Sequence, residues 1–205
     1  MSKDNQHSNT PSSGRQLILG STSRYRKELL SRLQIPFETA APDVDETPLS
    51  NESPKDLAMR LALAKARAVA FRYPDAVVIG SDQVADLEGV PLGKPGNHTN
   101  ATLQLQQMRG KTVIFQTALS VVCLATAYER TDLAVVKVKF RNLSDAEIES
   151  YLRAEEPYDC AGSAKSEGLG ISLLEAIESD DPTALIGLPL IRTCLMLKEA
   201  GINIL

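Results

Sequence analysis

The 205-residue chain has no tryptophan, only two histidines and three cysteines, and just 4% aromatic residues. Each scarcity narrows the chemistry. His7 and His98 cannot build a histidine-rich zinc centre. Cys123, Cys160 and Cys194 are odd in number, far apart and outside any C-x-x-C pair, so they read as reduced thiols. Any metal is then a hard cation held by carboxylates. Positive charge is not in excess: 22 Lys and Arg face 26 Asp and Glu, for a net charge of −4. That balance argues against broad coating of nucleic acid but leaves room for a small anion at a local basic cluster. Long apolar runs are missing too. The most apolar stretch, Thr117 to Ala127, is broken by Thr and Ser and is far shorter than the roughly 20 residues that span a bilayer. No apolar segment precedes Leu17, and residues 1–16 are polar. The expectation is a soluble cytoplasmic protein without a membrane or nucleic-acid partner, with a disordered tail over 1–16 and one domain over 17–205.

What is present is ordinary globular material, 43% hydrophobic and 23% charged. "LILG" (Leu17 to Gly20) reads as a buried strand. Ser21 to Ser23 can cap a following helix whose apolar stripe is Leu29, Leu30 and Leu33. "PFETAAP" is a second extended piece. Ser53-Pro54 opens a helix to about Arg72, with Leu57, Ala58, Leu61, Ala68 and Val69 inward. "AVVIG" (Ala76 to Gly80) reads as a buried strand ended by glycine, and "QVADLEGVPL" as a hairpin turning at Glu88-Gly89. A helix over Asn97 to Met108 precedes two long strands, Thr112 to Lys139, that reverse around Tyr128 to Thr131. Ser144 and Glu147 form a capping box for a helix to about Ala154. A Gly/Ser loop, a strand near Ile171 to Ile177 and a helix after Pro189 complete the chain. Strands and helices alternate, which predicts a mixed α/β fold.

Five features could carry chemistry. In "GSTSRYRKELL" (Gly20 to Leu30), hydroxyls, cations and a helix start come together, as an anion site requires. Arg26 can grip two phosphate oxygens and Ser21 and Ser23 can donate, although a plain helix cap with solvated cations would look the same. The spacing is not that of a Walker A loop. "GSDQ" (Gly80 to Gln83) places Asp82 at the end of the apolar strand, where it could hold Mg²⁺ or act as general base; a turn aspartate is the blander reading. "DVDET" gathers Asp43, Asp45 and Glu46, suited to a cation shared with phosphates or simply to an exposed loop. Lys65 falls on the apolar face of its helix, so it must snorkel or meet an anion, and Lys94 sits in "GKP" between a flexible and a stiff residue. In "AGSAKSEGLG", Glu167 could accept from two adjacent donors such as a guanine edge, although by itself the stretch reads more simply as a flexible surface loop.

Taken in order, these motifs (S-x-S-x-x-R, an acidic turn, an inward lysine, G-S-D, G-K-P, A-G-S-x-K-S-E-G and G-L-P) resemble those of the Maf family of nucleoside triphosphate pyrophosphatases, over about Leu17 to Ala200. "GSDQ" with "AGSAKSEG" is similar to the subgroup acting on 7-methyl-GTP rather than the one acting on dTTP and UTP, where G-A-D-T is usual. The resemblance implies a Maf/Ham1-like arrangement, a mixed sheet with helices on both sides and two lobes around a nucleotide cleft. It implies cleavage between the α and β phosphates with a divalent cation, Mg²⁺ or Mn²⁺, and a homodimer. By motif position it implies Asp82 as proton acceptor, with Arg26, Glu46, Lys65 and Lys94 in the catalytic pocket. Glu46 and Asp82 are the candidate metal ligands. Tyr25, Gln83 and Glu167 fall where base specificity is set. Relatives with this activity carry tryptophan at Tyr25, so this chain offers a smaller aromatic face. A non-catalytic nucleotide-binding regulator of cell division is the alternative of a different class.

Overall fold

The computed structural model describes residues 14–205, so most of the expected tail lies outside the described residues. Gln16 already belongs to the body, because its carbonyl accepts from Val77 N–H at 2.8 Å. Seven strands form one sheet: β1 (Leu17–Leu19), β2 (Glu38–Thr39), β3 (Val77–Leu87), β4 (Val90–Leu92), β5 (Thr112–Cys123), β6 (Tyr128–Phe140) and β7 (Leu174–Glu178). The order is β2-β1-β3-β5-β6-β7, with β4 also paired to β3. β1 runs parallel to β2 and β3, and the remaining pairs are antiparallel. Among the described residues five α-helices surround the sheet: α1 (Arg24–Ser31), α2 (Pro54–Ala70), α3 (His98–Met108), α4 (Asp145–Glu155) and α5 (Leu190–Glu199).

Strand alternation sends successive side chains to opposite faces. On one face Val78, Val84, Ala118 and Val122 pack under α2, whose Leu57, Leu61, Ala66 and Val69 fill the contact. On the other, Val77, Ile79, Leu119 and Val121 pack with Leu29 and Leu30 of α1 and Met196 and Leu197 of α5. Further along that second face, Ala85, Leu87, Phe115 and Val136 pack with Leu105 of α3 and Ile148 and Leu152 of α4. Helices therefore cover both sides, and the second face carries two separate apolar clusters, one per lobe.

Local signals account for most boundaries. The side chains of Ser23, Ser53, Asn97 and Ser144 each accept a backbone N–H at a helix start, and Ser144 with Glu147 closes a capping box. Four expectations are corrected. The strand expected to end at Gly80 runs on to Leu87, so Asp82 lies within β3 and not at its end. Gly80 is there because α2 crosses closely: a Cβ would come within 2.3 Å of Ala62 O and 2.5 Å of Ala66 N. The β5–β6 reversal occurs at Leu124–Ala127, with Ala127 at φ 53°, and the polar run Tyr128 to Thr131 is already strand. The last strand begins at Leu174, because residues 169–173 form a 3₁₀ turn. Ala68, expected inward, is only half-buried.

Candidate active site

β1 pairs with β3 only at Val77 to Ile79, and β4 only at Ala85 to Leu87. Between them, Gly80 to Val84 of β3 are paired on the β5 side alone. This gap in the sheet edge opens a cleft of about 800 Å³ between the lobes. It gives one ligand access to both faces of the sheet. Ser21, Ser23, Tyr25, Arg26, Glu46, Lys65, Asp82, Gln83, Lys94 and Glu167 all line it, although they come from six separate stretches of chain.

At the bottom, Lys65 reaches from α2 to β3. Its Nζ lies 2.7 Å from Asp82 Oδ1 and 2.8 Å from Glu46 Oε1. Lys65 and Asp82 are 5% and 7% exposed, so this is a desolvated contact, whereas Glu46 faces the cleft from an exposed loop. That loop is stapled to α2 by Arg60, which pairs with Glu52 and donates to Thr47 O at 3.1 Å. Arg60 holds the Glu52 carboxyl down to about 2.

The start of α1 lines the adjoining wall. Ser23 Oγ accepts from Arg26 N–H at 3.4 Å, and Ser21 Oγ accepts from Ser23 N–H at 3.1 Å. Ser23 thus caps α1 and Ser21 ties down the turn before it, and each keeps its own O–H to donate to an anion. The cap and the anion-site readings of this stretch are compatible. Arg26 Nε donates to Gly187 O at 2.9 Å, and Nη1 approaches Ser21 Oγ at 3.5 Å. Desolvation lowers the pKa of its guanidinium, against the opposing pull of Asp82 and Glu46. Lys94 has no carboxylate partner among the described residues, which leaves its ammonium for a ligand anion.

At the other end Tyr25 lines the cleft, half-buried, outside the apolar clusters that take Leu29 and Leu30. Burial pushes its phenol up to about 12. Its hydroxyl meets Arg24 Nη2 at 2.7 Å and both Asp159 oxygens at 3.4 Å, and Arg24 Cζ lies 4.7 Å above one ring face. One face of the ring is therefore already covered by a cation. Glu167 is exposed on the cleft rim. Its loop is not slack: Glu155 accepts from Lys165 Nζ and from Leu169 N–H, and Gly170 packs on the Lys165 backbone.

Gln83 lines the cleft and also has a structural task. Its amide nitrogen is committed to Thr117 Oγ1 at 2.9 Å, Ala184 O at 2.9 Å and Leu185 O at 3.0 Å, so it holds a turn. Asp159, Cys160 and Arg24 of the cleft, and Ser81 and Thr117 beneath that turn, carried no signal strong enough to single them out in the sequence. Gly187 was visible only as part of G-L-P.

A family model described as Maf-like protein matches residues 16–200. The chain belongs to the Maf family. Among Maf relatives, a protein of Polaromonas sp. (strain JS666 / ATCC BAA-500) called 7-methyl-GTP pyrophosphatase is 70% identical over 193 residues, covering 94% of this chain and 88% of that one. A protein of the same name from Albidiferax ferrireducens is 70% identical over 191 residues, covering 93% and 96%. Among solved structures, the Staphylococcus aureus Ham1 protein aligns over 62% of this Maf chain and 73% of its own, with TM-score 0.45 and 14% identity. Among the described residues no helix is long and apolar enough to cross a membrane.

Proposed function

We propose that this Maf protein is a nucleoside triphosphate pyrophosphatase that hydrolyses 7-methyl-GTP to 7-methyl-GMP and pyrophosphate. The observation that carries the reading is the cluster Glu46–Lys65–Asp82 at one end of a single cleft, with Arg26 and Lys94 beside it and an aromatic ring plus carboxylates at the other end. The relatives named 7-methyl-GTP pyrophosphatase support the choice of base. Hydrolysis of a phosphoanhydride needs a base to prepare water and cations to neutralise charge on the phosphate oxygens. Asp82 accepts the proton of the attacking water. Lys65 fixes the Asp82 carboxylate beside the reacting phosphorus, while Arg26 and Lys94 hold the phosphates. Ser21 and Ser23 donate to the same oxygens from the start of α1. Tyr25 offers the ring face not taken by Arg24 to the methylated base, a positively charged ring that gains from cation–π attraction. Glu167 accepts from the guanine N1–H and exocyclic amine.

Glu46 and Asp82, two hard oxygen donors, are the residues that would hold a divalent cation. Lys65 Nζ brings the Glu46 and Asp82 carboxylates to one point. Among the described residues no group of three His, Cys, Asp or Glu is gathered. Two carboxylates completed by substrate phosphates is the way Mg²⁺ is commonly held, and Mn²⁺ suits the same oxygens. Bound there, the ion would supply charge neutralisation on the phosphates. We also propose a cytoplasmic homodimer built on one domain over residues 17–205.

The reading is tested by measuring pyrophosphate release from 7-methyl-GTP, GTP, dTTP and UTP with Mg²⁺ or Mn²⁺. The expected outcome is the highest kcat/KM for 7-methyl-GTP. Preference for dTTP or UTP would overturn the base assignment, and turnover of none would overturn the activity.

A further inference from the structure

Ser81, Gln83 and Thr117 sit on the sheet face that carries apolar residues on either side, between the Val77–Ile79 cluster and the Ala85–Phe115 cluster. Ser81 and Thr117 are fully shielded from solvent. Three polar side chains in the middle of a core face are costly unless each finds a partner. Their partners all lie in one distant turn. Thr117 Oγ1 donates to Ala184 O at 3.0 Å, Gln83 Nε2 donates to Ala184 O and Leu185 O, and Ser81 Oγ donates to Gly187 O at 3.1 Å. Gly187 stands at φ 125°, a conformation that favours glycine. The same carbonyl then accepts from Arg26 Nε at 2.9 Å.

We infer that Ser81 is a positioning residue for Arg26, acting through the Gly187 carbonyl. An arginine gripping phosphate with its two terminal nitrogens is oriented by whatever holds its Nε. Here Nε is held by an oxygen that the sheet itself fixes from below. Ser81 and Arg26 meet at that one acceptor from different elements, β3 and α1. Loss of the Ser81 hydroxyl frees the carbonyl to turn, and the guanidinium loses its set plane. Thr117 supports the same turn from β5 and belongs to the same device. The inference rests on the proposed role of Arg26 as a phosphate grip, but it concerns the triphosphate end alone and is independent of the base.

A double-mutant cycle on pyrophosphate binding, read by calorimetry with Mg²⁺ present, tests it. Ser81→Ala should weaken pyrophosphate roughly three- to tenfold, the size of one lost hydrogen bond. In an Arg26→Ala background the same change should have almost no effect, because its target is gone. Equal losses in both backgrounds would overturn the inference and make Ser81 a core residue only. Should Ser81→Ala fail to fold, Ser81→Cys, which fills nearly the same space with a much weaker donor, carries the same cycle with the same two outcomes. Absence of pyrophosphate binding by the wild type overturns it as well. Turnover of the nucleotide panel reports on the proposed activity separately, so failure of coupling and failure of that activity remain distinguishable.

Discussion

Lys65 Nζ, carried by α2, donates to Asp82 Oδ1 of β3 at 2.7 Å, and neither side chain is appreciably open to solvent. A desolvated pair of this kind is costly to build and more costly to break, because removing one partner strands the other charge. Its position beneath the cleft, with Glu46 on the same ammonium, gives that cost a use.

Asp82→Asn should abolish turnover while leaving nucleotide binding largely intact. Asparagine keeps the size and an acceptor for Lys65, and Glu46 still pairs with the ammonium. The expected loss in kcat is on the order of 10²–10⁴, typical for removal of a catalytic base. Steady-state kinetics alongside calorimetric binding checks it, and near-wild-type kcat would remove Asp82 from the mechanism.

Lys65→Met should destabilise the fold by about 3–5 kcal/mol, since it leaves Asp82 buried and unpaired. Urea unfolding measures this. The double variant Lys65→Met/Asp82→Asn should recover much of the loss, and a double variant as unstable as the single would show that the methionine fails for steric reasons.

Gly80→Ala should be poorly tolerated although alanine suits a strand. The new Cβ would press on the α2 backbone at Ala62 and Ala66, three residues before Lys65 and one after it. Overpacking of this kind costs roughly 1–3 kcal/mol or more. A fall in both Tm and kcat is expected, and unchanged values of both would contradict the close helix crossing.

Tyr25→Ala and Arg26→Ala should separate base from phosphate. Arg26→Ala weakens all nucleoside triphosphates alike. Tyr25→Ala reduces 7-methyl-GTP selectively by roughly 0.5–2 kcal/mol, the range of cation–π contacts. Equal loss of kcat/KM for methylated and unmethylated GTP would leave Tyr25 without a stacking role.

The Glu52–Arg60 pair that holds the acidic loop predicts a pH dependence. Arg60 lowers the Glu52 carboxyl from 4.5 to about 2. A depressed carboxyl contributes stability that is fully present above its unfolded value and is lost as pH falls towards the folded one. The stability difference between wild type and Glu52→Gln should therefore be full at pH 7 and shrink between about pH 4.5 and 2. A pH-independent difference would rule out the ion pair as its source.

The elements legible in the sequence were those with local causes. The caps at Ser23, Ser53, Asn97 and Ser144 state where helices begin, and the 3.6-residue period put Lys65 on the inward face of α2. The errors have non-local causes. Gly80 reads as a strand end because glycine commonly marks one, but here a helix crossing requires it. Asp82 could be read as a turn aspartate because the strand seemed to stop at Gly80, and the acceptors that make its polar neighbours Ser81 and Gln83 tolerable as strand residues lie a hundred residues further on. The β5–β6 turn contains no Gly, Asn or Asp to announce Ala127 in its left-handed conformation. The polar run that seemed to be the turn is strand, its Arg130 paired with Glu199 of α5. Of the cleft, the residues with motif context were visible, whereas Asp159 and Cys160 were brought to Tyr25 only by the folded chain.

The most direct measurement is the identity of the products formed from 7-methyl-GTP with Mg²⁺, separated by chromatography and weighed by mass spectrometry. The proposed activity predicts 7-methyl-GMP and pyrophosphate in equal amounts, absent with Asp82→Asn. Formation of 7-methyl-GDP and orthophosphate, or the same products at the same rate from the variant, would contradict it.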